Sequence, residues 1–150
     1  LIHDSHRKVK MIVPQLVFFD IQGIRLLGLS GWNSPSLLVT DSDYLEGAVF
    51  TDGFFVEVIY PETVDFVNLF HAAYGREPDV MEAEVFDAAG IALKIIRENA
   101  GATREKFRDS LLGIKGYPGV TGRISFSATG AAIKDAFVLT VKEGKKVQLK

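Results

Sequence analysis

The feature that most constrains the fold of this chain is an alternation of helical periodicity with short apolar runs through residue 112. Residues 5–19 carry apolar side chains on a helical period, and an apolar run at 24–29 follows. A second apolar run, at 47–51, precedes the next helical segment. Helices that alternate with short buried strands are typical of βαβ units on a mostly parallel sheet. The sequence therefore predicts an α/β fold.

Two helices are predicted from capping patterns in the sequence. Asp79 and Glu82 have the spacing of a capping box, in which a carboxylate three residues after the cap returns a hydrogen bond. This pattern predicts a helix that runs to about Asn99. Thr103 opens another helix, which we expect to end near Leu112.

Proline marks two further helix starts. Pro35 and Pro61 each stand where a first helical position is expected, and proline is well tolerated there because its missing N–H has no partner in the helix. The first start predicts a brief helix at 37–39, and the second a helix up to Gly75. Pro14 falls inside the helical pattern of the first segment, so we expect a kink or a late helix start there.

The last third of the chain has a residue pattern typical of strands. From Gly116 the run "GYPGVTGRISFSATG" combines glycines with alternating apolar residues, which indicates strands. Residues 136–141 and 147–149 then predict an antiparallel hairpin across Glu143 and Gly144.

Charge and hydropathy narrow the class of partner. The chain has 17 basic and 19 acidic residues among 150, with no concentrated basic face, so a nucleic-acid partner is not expected. The longest apolar stretches, such as 11–19 and 91–96, are shorter than the roughly 20 residues needed to span a bilayer.

The sequence shows no residue pattern typical of a metal site or a catalytic site. The chain has no cysteine, which excludes zinc–thiolate sites, thiol nucleophiles and disulfides. His3, His6 and His71 have no spacing that pairs them into a metal site. The segment "GVTGR" lacks the Gly-Lys-Ser/Thr ending of a phosphate-binding loop. We therefore expect a protein without a metal, a cofactor or a catalytic residue.

The stretch "GLSGWNSPSLL", residues 28–38, holds the one tryptophan of the chain at the end of a predicted strand. Ligands of open α/β sheets bind beyond the carboxyl ends of the strands. Trp32 could therefore line a binding cleft, or it could pack in a corner of the fold.

Three segments carry a family resemblance: "YGREPD" at 74–79, "FDAA" at 86–89 and "GVTGRISF" at 119–126. In their order and spacing they resemble the C-terminal half of the type I periplasmic solute-binding proteins, the branched-chain amino acid-binding or extracellular ligand-binding receptor family. The resemblance covers nearly the whole chain. It implies two α/β lobes with Rossmann-like sheets and flanking helices, joined by three crossing strands, with a ligand closed between the lobes.

The resemblance also implies how the chain is divided. Residues 1–52 would finish the second lobe, residues 53–134 would finish the first lobe, and residues 135–150 would supply the third crossing strand and the terminal hairpin. Hinge closure would involve positions around 51–54. By this reading the chain is not a complete ligand-binding unit, and the upstream half of the same protein or another copy of the chain would supply the rest.

Five residues are implied as ligand-binding. In the family an acidic residue before the glycine–tryptophan pair holds the ligand's ammonium group, and this chain has Ser30 there. Asp4 is the compensating candidate, although it also reads as a helix N-cap. Gly31 and Trp32 would complete the second-lobe rim. Phe86, at the family's tyrosine position, would face the ligand from the first lobe, with a core role as the alternative.

The function implied by the resemblance is that of a non-enzymatic, extracytoplasmic solute-binding protein. It would deliver a small polar ligand, an amino acid or a small carboxylate, to an ABC-type membrane permease. The location would be the periplasm or the cell envelope, with or without a lipoprotein anchor. The alternative is a solute-free interaction module of the same fold, such as a penicillin-binding-protein activator lipoprotein, since the "GWNSP" loop carries no acidic residue.

Overall fold

The computed structural model describes residues 1–38, 42–58, 60–99 and 103–149. The chain forms two compact units. Unit 1 consists of Leu1–Gly53 together with Phe137–Lys150, and unit 2 consists of Phe54–Ala136. The assignment of these units to the two lobes of a longer protein stays a prediction.

The elements follow one another along the chain in the order α1 (His6–Phe18), β1 (Leu27–Gly28), β2 (Val49–Asp52), α2 (Pro61–Tyr74), α3 (Val80–Glu98), α4 (Arg104–Leu112), β3 (Tyr117–Gly119), β4 (Gly122–Phe126), β5 (Ala132–Lys134), β6 (Phe137–Lys142) and β7 (Lys145–Gln148). Short 3₁₀ turns lie at Ser30–Trp32, Pro35–Leu37 and Ser42–Leu45.

Unit 1 is built on a four-stranded sheet in the order β1-β2-β6-β7. β1 and β2 are parallel, and β2 pairs antiparallel with β6. The α/β class predicted from the sequence is confirmed. Parallel pairing is confined in the described residues to β1 and β2, because α2, α3 and α4 succeed one another without an intervening strand.

The predicted terminal hairpin is confirmed as β6 and β7. Its two-residue loop has Glu143 and Gly144 at φ 53° and 69°, the left-handed conformation that such loops require. The carboxylate of Glu46 accepts hydrogen bonds from both loop N–H groups, at 2.9 and 3.4 Å. The loop is thereby tied to the segment just before β2.

The first predicted strand is much shorter than expected. The apolar run at 24–29 contributes two residues to β1, and Ile24 and Leu27 are exposed. Apolar composition alone does not bury a segment, and here only Leu27 and Gly28 pair with the neighbouring strand. α1 ends at Phe18, and Asp20 at φ 52° turns the backbone before Gly23 does.

The proline signals have mixed outcomes. Pro14 lies inside α1 without ending it, and Pro61 begins α2 as predicted. The brief helix predicted at 37–39 overlaps at its first residue with a 3₁₀ turn over Pro35–Leu37, which the side chain of Ser34 caps, and its second residue, Leu38, is helical. Its last predicted residue lies outside the described part of the chain.

Unit 2 combines α2, α3 and α4 with an antiparallel three-stranded sheet, β3-β4-β5. The capping box of α3 is confirmed, since Asp79 accepts from the helix start and the Glu82 carboxylate accepts from the N–H of Asp79. Thr103 caps α4 as predicted. Two apolar clusters form the core, one of Phe54, Phe66, Ala83 and Val120, the other of Ile91, Ile95 and Ile124.

Candidate functional site

The first residues of the chain lie beside β1. The backbone N–H of Ile2 donates to the carbonyl of Leu27 at 2.9 Å. This bond brings the segment that leads to Asp4 alongside the strand that leads to Ser30. Both segments are therefore available at the carboxyl end of β1, where open α/β sheets bind ligands.

Asp4 and Gly31 meet at this end of the strand. A Cβ placed on Gly31 would stand 3.3 Å from the carbonyl oxygen of Asp4 and 3.3 Å from Cα of Ser5. That spacing is tight, so the absence of a side chain at position 31 lets the two backbones approach. We call Asp4, Ser5, Ser30 and Gly31 the β1 rim. All four residues are exposed.

Asp4 is not the N-cap of α1. The N-cap is Ser5, whose side chain makes no capping bond, while Oδ1 of Asp4 accepts from the N–H of Ser5 at 2.7 Å. The carboxylate lies just ahead of a helix N-terminus, where the aligned peptide dipoles favour negative charge. An exposed carboxylate and the exposed hydroxyl of Ser30 are thus presented on the same rim.

Trp32 lies inside unit 1 with 0% of its surface exposed. Its indole covers Gly28, where an added Cβ would stand 2.2 Å from Cδ2, and its ring centroid is 6.0 Å from that of Phe50. Of the two interpretations of Trp32, this environment fits packing, because a ring without exposed surface has no face for a ligand. Trp32 supports the β1 rim from the core.

The loop after the rim is fixed by two lysines. Nζ of Lys146 donates to Oδ1 of Asn33 at 2.6 Å, and Nζ of Lys10 donates to the carbonyl of Ser36 at 3.2 Å. These bonds tie the "WNSPS" loop to β7 and to α1. The loop that follows the β1 rim is therefore held in place by hydrogen bonds to both elements.

Phe86 lies on α3 in unit 2 and is 49% exposed. Its ring stacks on that of Phe66, with centroids 4.6 Å apart and planes inclined by 40°. This exposure tests neither of the two roles predicted for Phe86, ligand contact and core packing, and both stay predictions. A ring that is half-exposed and backed by a buried ring is suited to contact an apolar group.

A groove of about 730 Å³ runs between α2 and α3 beside this ring. It is lined mainly by aromatic and aliphatic side chains, among them Phe66, Phe70, Tyr74, Val85 and Phe86. Its polar end is the ion pair of Arg76 with Glu82, where the guanidinium also stands 5.1 Å from the Phe70 ring. The hydrogen bond between the two raises the pKa of Arg76 and lowers the pKa of Glu82.

Asp87, next to Phe86, is neither solvated nor a helix cap, the two roles that are ordinary for a carboxylate on a helix. The residue is 3% exposed, and its oxygens accept from the N–H groups of Val120 and Thr121 and from the Thr121 hydroxyl. A signal was present, since Asp87 falls on the four-residue spacing of the buried α3 positions Ala83, Ile91 and Ile95.

Neither a metal centre nor a membrane helix emerges from the parts of the chain that are described. Within them, no three His, Asp or Glu side chains gather closely enough to hold an ion. None of the helices they contain combines the length and the apolar character needed to cross a bilayer.

Comparison with known proteins identifies the fold. A protein of Rhodospirillum rubrum assigned as a branched-chain amino acid ABC transporter superposes with a TM-score of 0.89 at 27% identity, over 97% of this chain and 42% of that one. The leucine-binding protein LivK of Thermotoga maritima gives 0.74 at 25%, over 99% and 42%. LivJ of Streptococcus pneumoniae, in complex with isoleucine, gives 0.70 at 22%, over 98% and 43%, a likeness of fold alone.

The chain therefore spans about two fifths of the length of these solved structures. No curated protein matches it. The model of the family described as "Periplasmic binding protein" matches residues 11–146, which is most of the chain. Its α/β fold is half of the two-lobed type I architecture. The chain belongs to the periplasmic binding protein family, whose members bind solutes outside the cytoplasm.

Proposed function

We propose that this chain is the C-terminal half of a non-enzymatic solute-binding protein that holds an amino acid or a small carboxylate between two lobes for an ABC-type permease. In this proposal unit 1 belongs to the second lobe and unit 2 to the first. The protein works in the periplasm or the cell envelope, with or without a lipoprotein anchor. The comparisons give no support to the solute-free alternative.

The observation that carries the proposal is the β1 rim. Asp4 and Ser30 are exposed at the carboxyl end of a parallel strand, beside the close contact of Asp4 with Gly31. In the proposed complex the carboxylate of Asp4 accepts from the ligand's ammonium group, a charge-assisted bond that a hydroxyl alone would not replace. Ser30 adds an uncharged hydrogen bond. Gly31 keeps the rim narrow, and Trp32 holds it from within.

Phe86 supplies the contact from unit 2. Its half-exposed ring, backed by Phe66, would cover the apolar part of the ligand. An amphipathic ligand has a charged end for a carboxylate such as Asp4 and an apolar end for a ring such as Phe86. Leucine and isoleucine, which the names of the related LivK and LivJ structures carry, have this character.

The upstream half would complete both the site and the core. α3 buries one face against its own unit, yet Val85, Leu93 and Ile96 on another face are exposed. A helix that is apolar on two faces needs cover on both. Because the chain spans about two fifths of its structural relatives, we infer that upstream residues cover the second face.

The test is a thermal-shift screen of the complete protein against amino acids, small carboxylates and aromatic acids. A ligand that binds the folded state stabilises it by RT ln(1 + [L]/Kd), so a true ligand at about 100 times its Kd adds roughly 2.7 kcal/mol. A rise in Tm with one class, and a dependence of that rise on Asp4, would support the proposal. Absence of any stabilisation at millimolar concentration would overturn it.

Closure on the ligand is the remaining part of the proposal. Residues 51–54, where the chain passes from unit 1 to unit 2, would absorb the rotation. A ligand drives such closure only if it binds the closed form more tightly. Small-angle scattering with and without the stabilising ligand would detect the compaction.

A further inference from the structure

We propose that Asp87 is a positioning residue for Phe86. Its buried carboxylate fixes the rotation of α3 and thereby the direction in which the Phe86 ring is presented. The functional part of this inference rests on the proposed contact of Phe86 with the ligand. The geometric part stands on unit 2 alone.

Asp87 fastens α3 to the turn between β3 and β4. Oδ1 accepts from the N–H of Val120 at 2.7 Å, and Oδ2 accepts from the N–H and the hydroxyl of Thr121 at 2.9 and 2.7 Å. A carboxylate that accepts three hydrogen bonds in a buried place holds its helix more firmly than apolar contacts do, because the bonds are directional.

The turn is shaped to receive this carboxylate. A Cβ on Gly119 would stand 2.6 Å from Oδ2 of Asp87, so position 119 must lack a side chain for the approach. The turn is also held from the opposite helix, since Oγ1 of Thr63 on α2 donates to the carbonyl of Val120 at 2.9 Å. Thr63 is fully buried. Asp87 therefore binds to a turn that is itself held in place by α2.

The hydrogen bonds of Asp87 also set the direction of the Phe86 side chain. Consecutive residues of an α-helix point about 100° apart, so fixing the azimuth of Asp87 fixes that of Phe86. Phe66, on which the Phe86 ring stacks at 4.6 Å, belongs to the same core cluster as Val120. The ring of Phe86 and the carboxylate of Asp87 thus each contact one member of a single core cluster.

The network offers a matched pair of variants. Asp87→Asn sets an amide N–H₂ or a single oxygen against the donors of the turn, which loosens α3. Thr63→Val removes one buried bond to the same turn from α2 and leaves α3 fastened. Thr121→Val removes only the hydroxyl bond to Asp87, and serves as a milder variant if Asp87→Asn does not fold.

The experiment uses the complete protein with 4-fluorophenylalanine incorporated at position 86. We expect Asp87→Asn, or Thr121→Val to a smaller degree, to move or broaden the fluorine NMR resonance, and Thr63→Val to leave it in place at a comparable loss of Tm. Equal shifts in both variants, or no shift in either, would overturn the positioning role. This readout needs no ligand.

Binding of L-leucine, measured by calorimetry on the unlabelled variants, separates this inference from the proposed function. An affinity that falls about tenfold with Asp87→Asn and stays level with Thr63→Val supports both. A displaced ring with unchanged leucine affinity supports the positioning role and overturns the ligand contact of Phe86. If leucine does not bind the unmodified protein, the proposed amino-acid ligand is wrong. The positioning role of Asp87 is then tested by the fluorine resonance alone.

Discussion

The carbonyl oxygen of Asp4 lies 3.3 Å from the point where a side chain on Gly31 would begin. These residues are 27 positions apart in the sequence, and their contact joins the segment before α1 to the turn after β1. The β1 rim therefore has a backbone basis that single substitutions can test.

Gly31→Ala should displace the Asp4–Ser5 backbone by a few tenths of an ångström, because the new methyl group faces backbone atoms. We expect ligand affinity to fall with a loss of stability of about 1 kcal/mol. Calorimetry and urea unfolding of the complete protein would measure the two effects. Ser30→Ala is the comparator for stability alone, since it leaves the backbone contact in place but removes a proposed hydrogen bond to the ligand. Unchanged affinity in Gly31→Ala would contradict the role of the contact.

Asp4→Asn should weaken an amino-acid ligand by about ten- to a hundredfold, since the bond to the ammonium loses its charge. A ligand that bears a carboxylate and no ammonium should be unaffected. The measurement is the Kd of each ligand in the complete protein. Asp65→Asn, at another exposed carboxylate, is the control. Equal losses for both ligand types would argue against Asp4 as the ammonium partner.

Gly28→Ala should be the most damaging glycine substitution in unit 1. The added carbon would stand 2.2 Å from the indole of Trp32, which has no room to move because it is buried against Phe50. We expect a loss of about 3 kcal/mol in unfolding free energy, at the upper end for overpacking. Combining it with Trp32→Leu should recover part of the loss. Additive effects in the double variant would show that the two residues do not meet.

The Glu82 carboxyl should titrate below the ordinary range of a glutamate, because it accepts hydrogen bonds from Arg76 and from the N–H of Asp79. A folded pKa below the unfolded one adds stability above the unfolded pKa, and this stability is lost as pH falls through the folded pKa. Arg76→Gln should raise the Glu82 midpoint in a carboxyl NMR titration. A midpoint that does not move would mean that the pair is absent in solution.

The parts of the structure that local physics decides could be predicted from the sequence. The capping box of Asp79 and Glu82 needs only residues three apart, and it correctly predicts the start of α3. The hairpin at Glu143–Gly144 and the start of α2 at Pro61 are equally local. Helices and turns of this kind carry their own signals.

The parts that depend on distant contacts could not be predicted in the same way. Asp87 finds its partners 33 and 34 positions away, so the helical spacing indicates its buried face but not the groups that it binds. The apolar run at 24–29 satisfies every local rule for a strand, but only Leu27 and Gly28 pair with β2. Trp32 has two reasonable interpretations from the sequence, and its burial over Gly28 favours packing.

The two apolar faces of α3 also bear on how the protein should be produced. Expressed by itself, the stretch of 150 residues would leave Val85, Leu93 and Ile96 in contact with water. Under the proposed function, such a piece should self-associate or pair with the upstream half. The two halves, produced separately, could then reassemble into a split reporter whose signal depends on the proposed solute. The exposed apolar face of α3 would then be the interface between the two halves of the reporter.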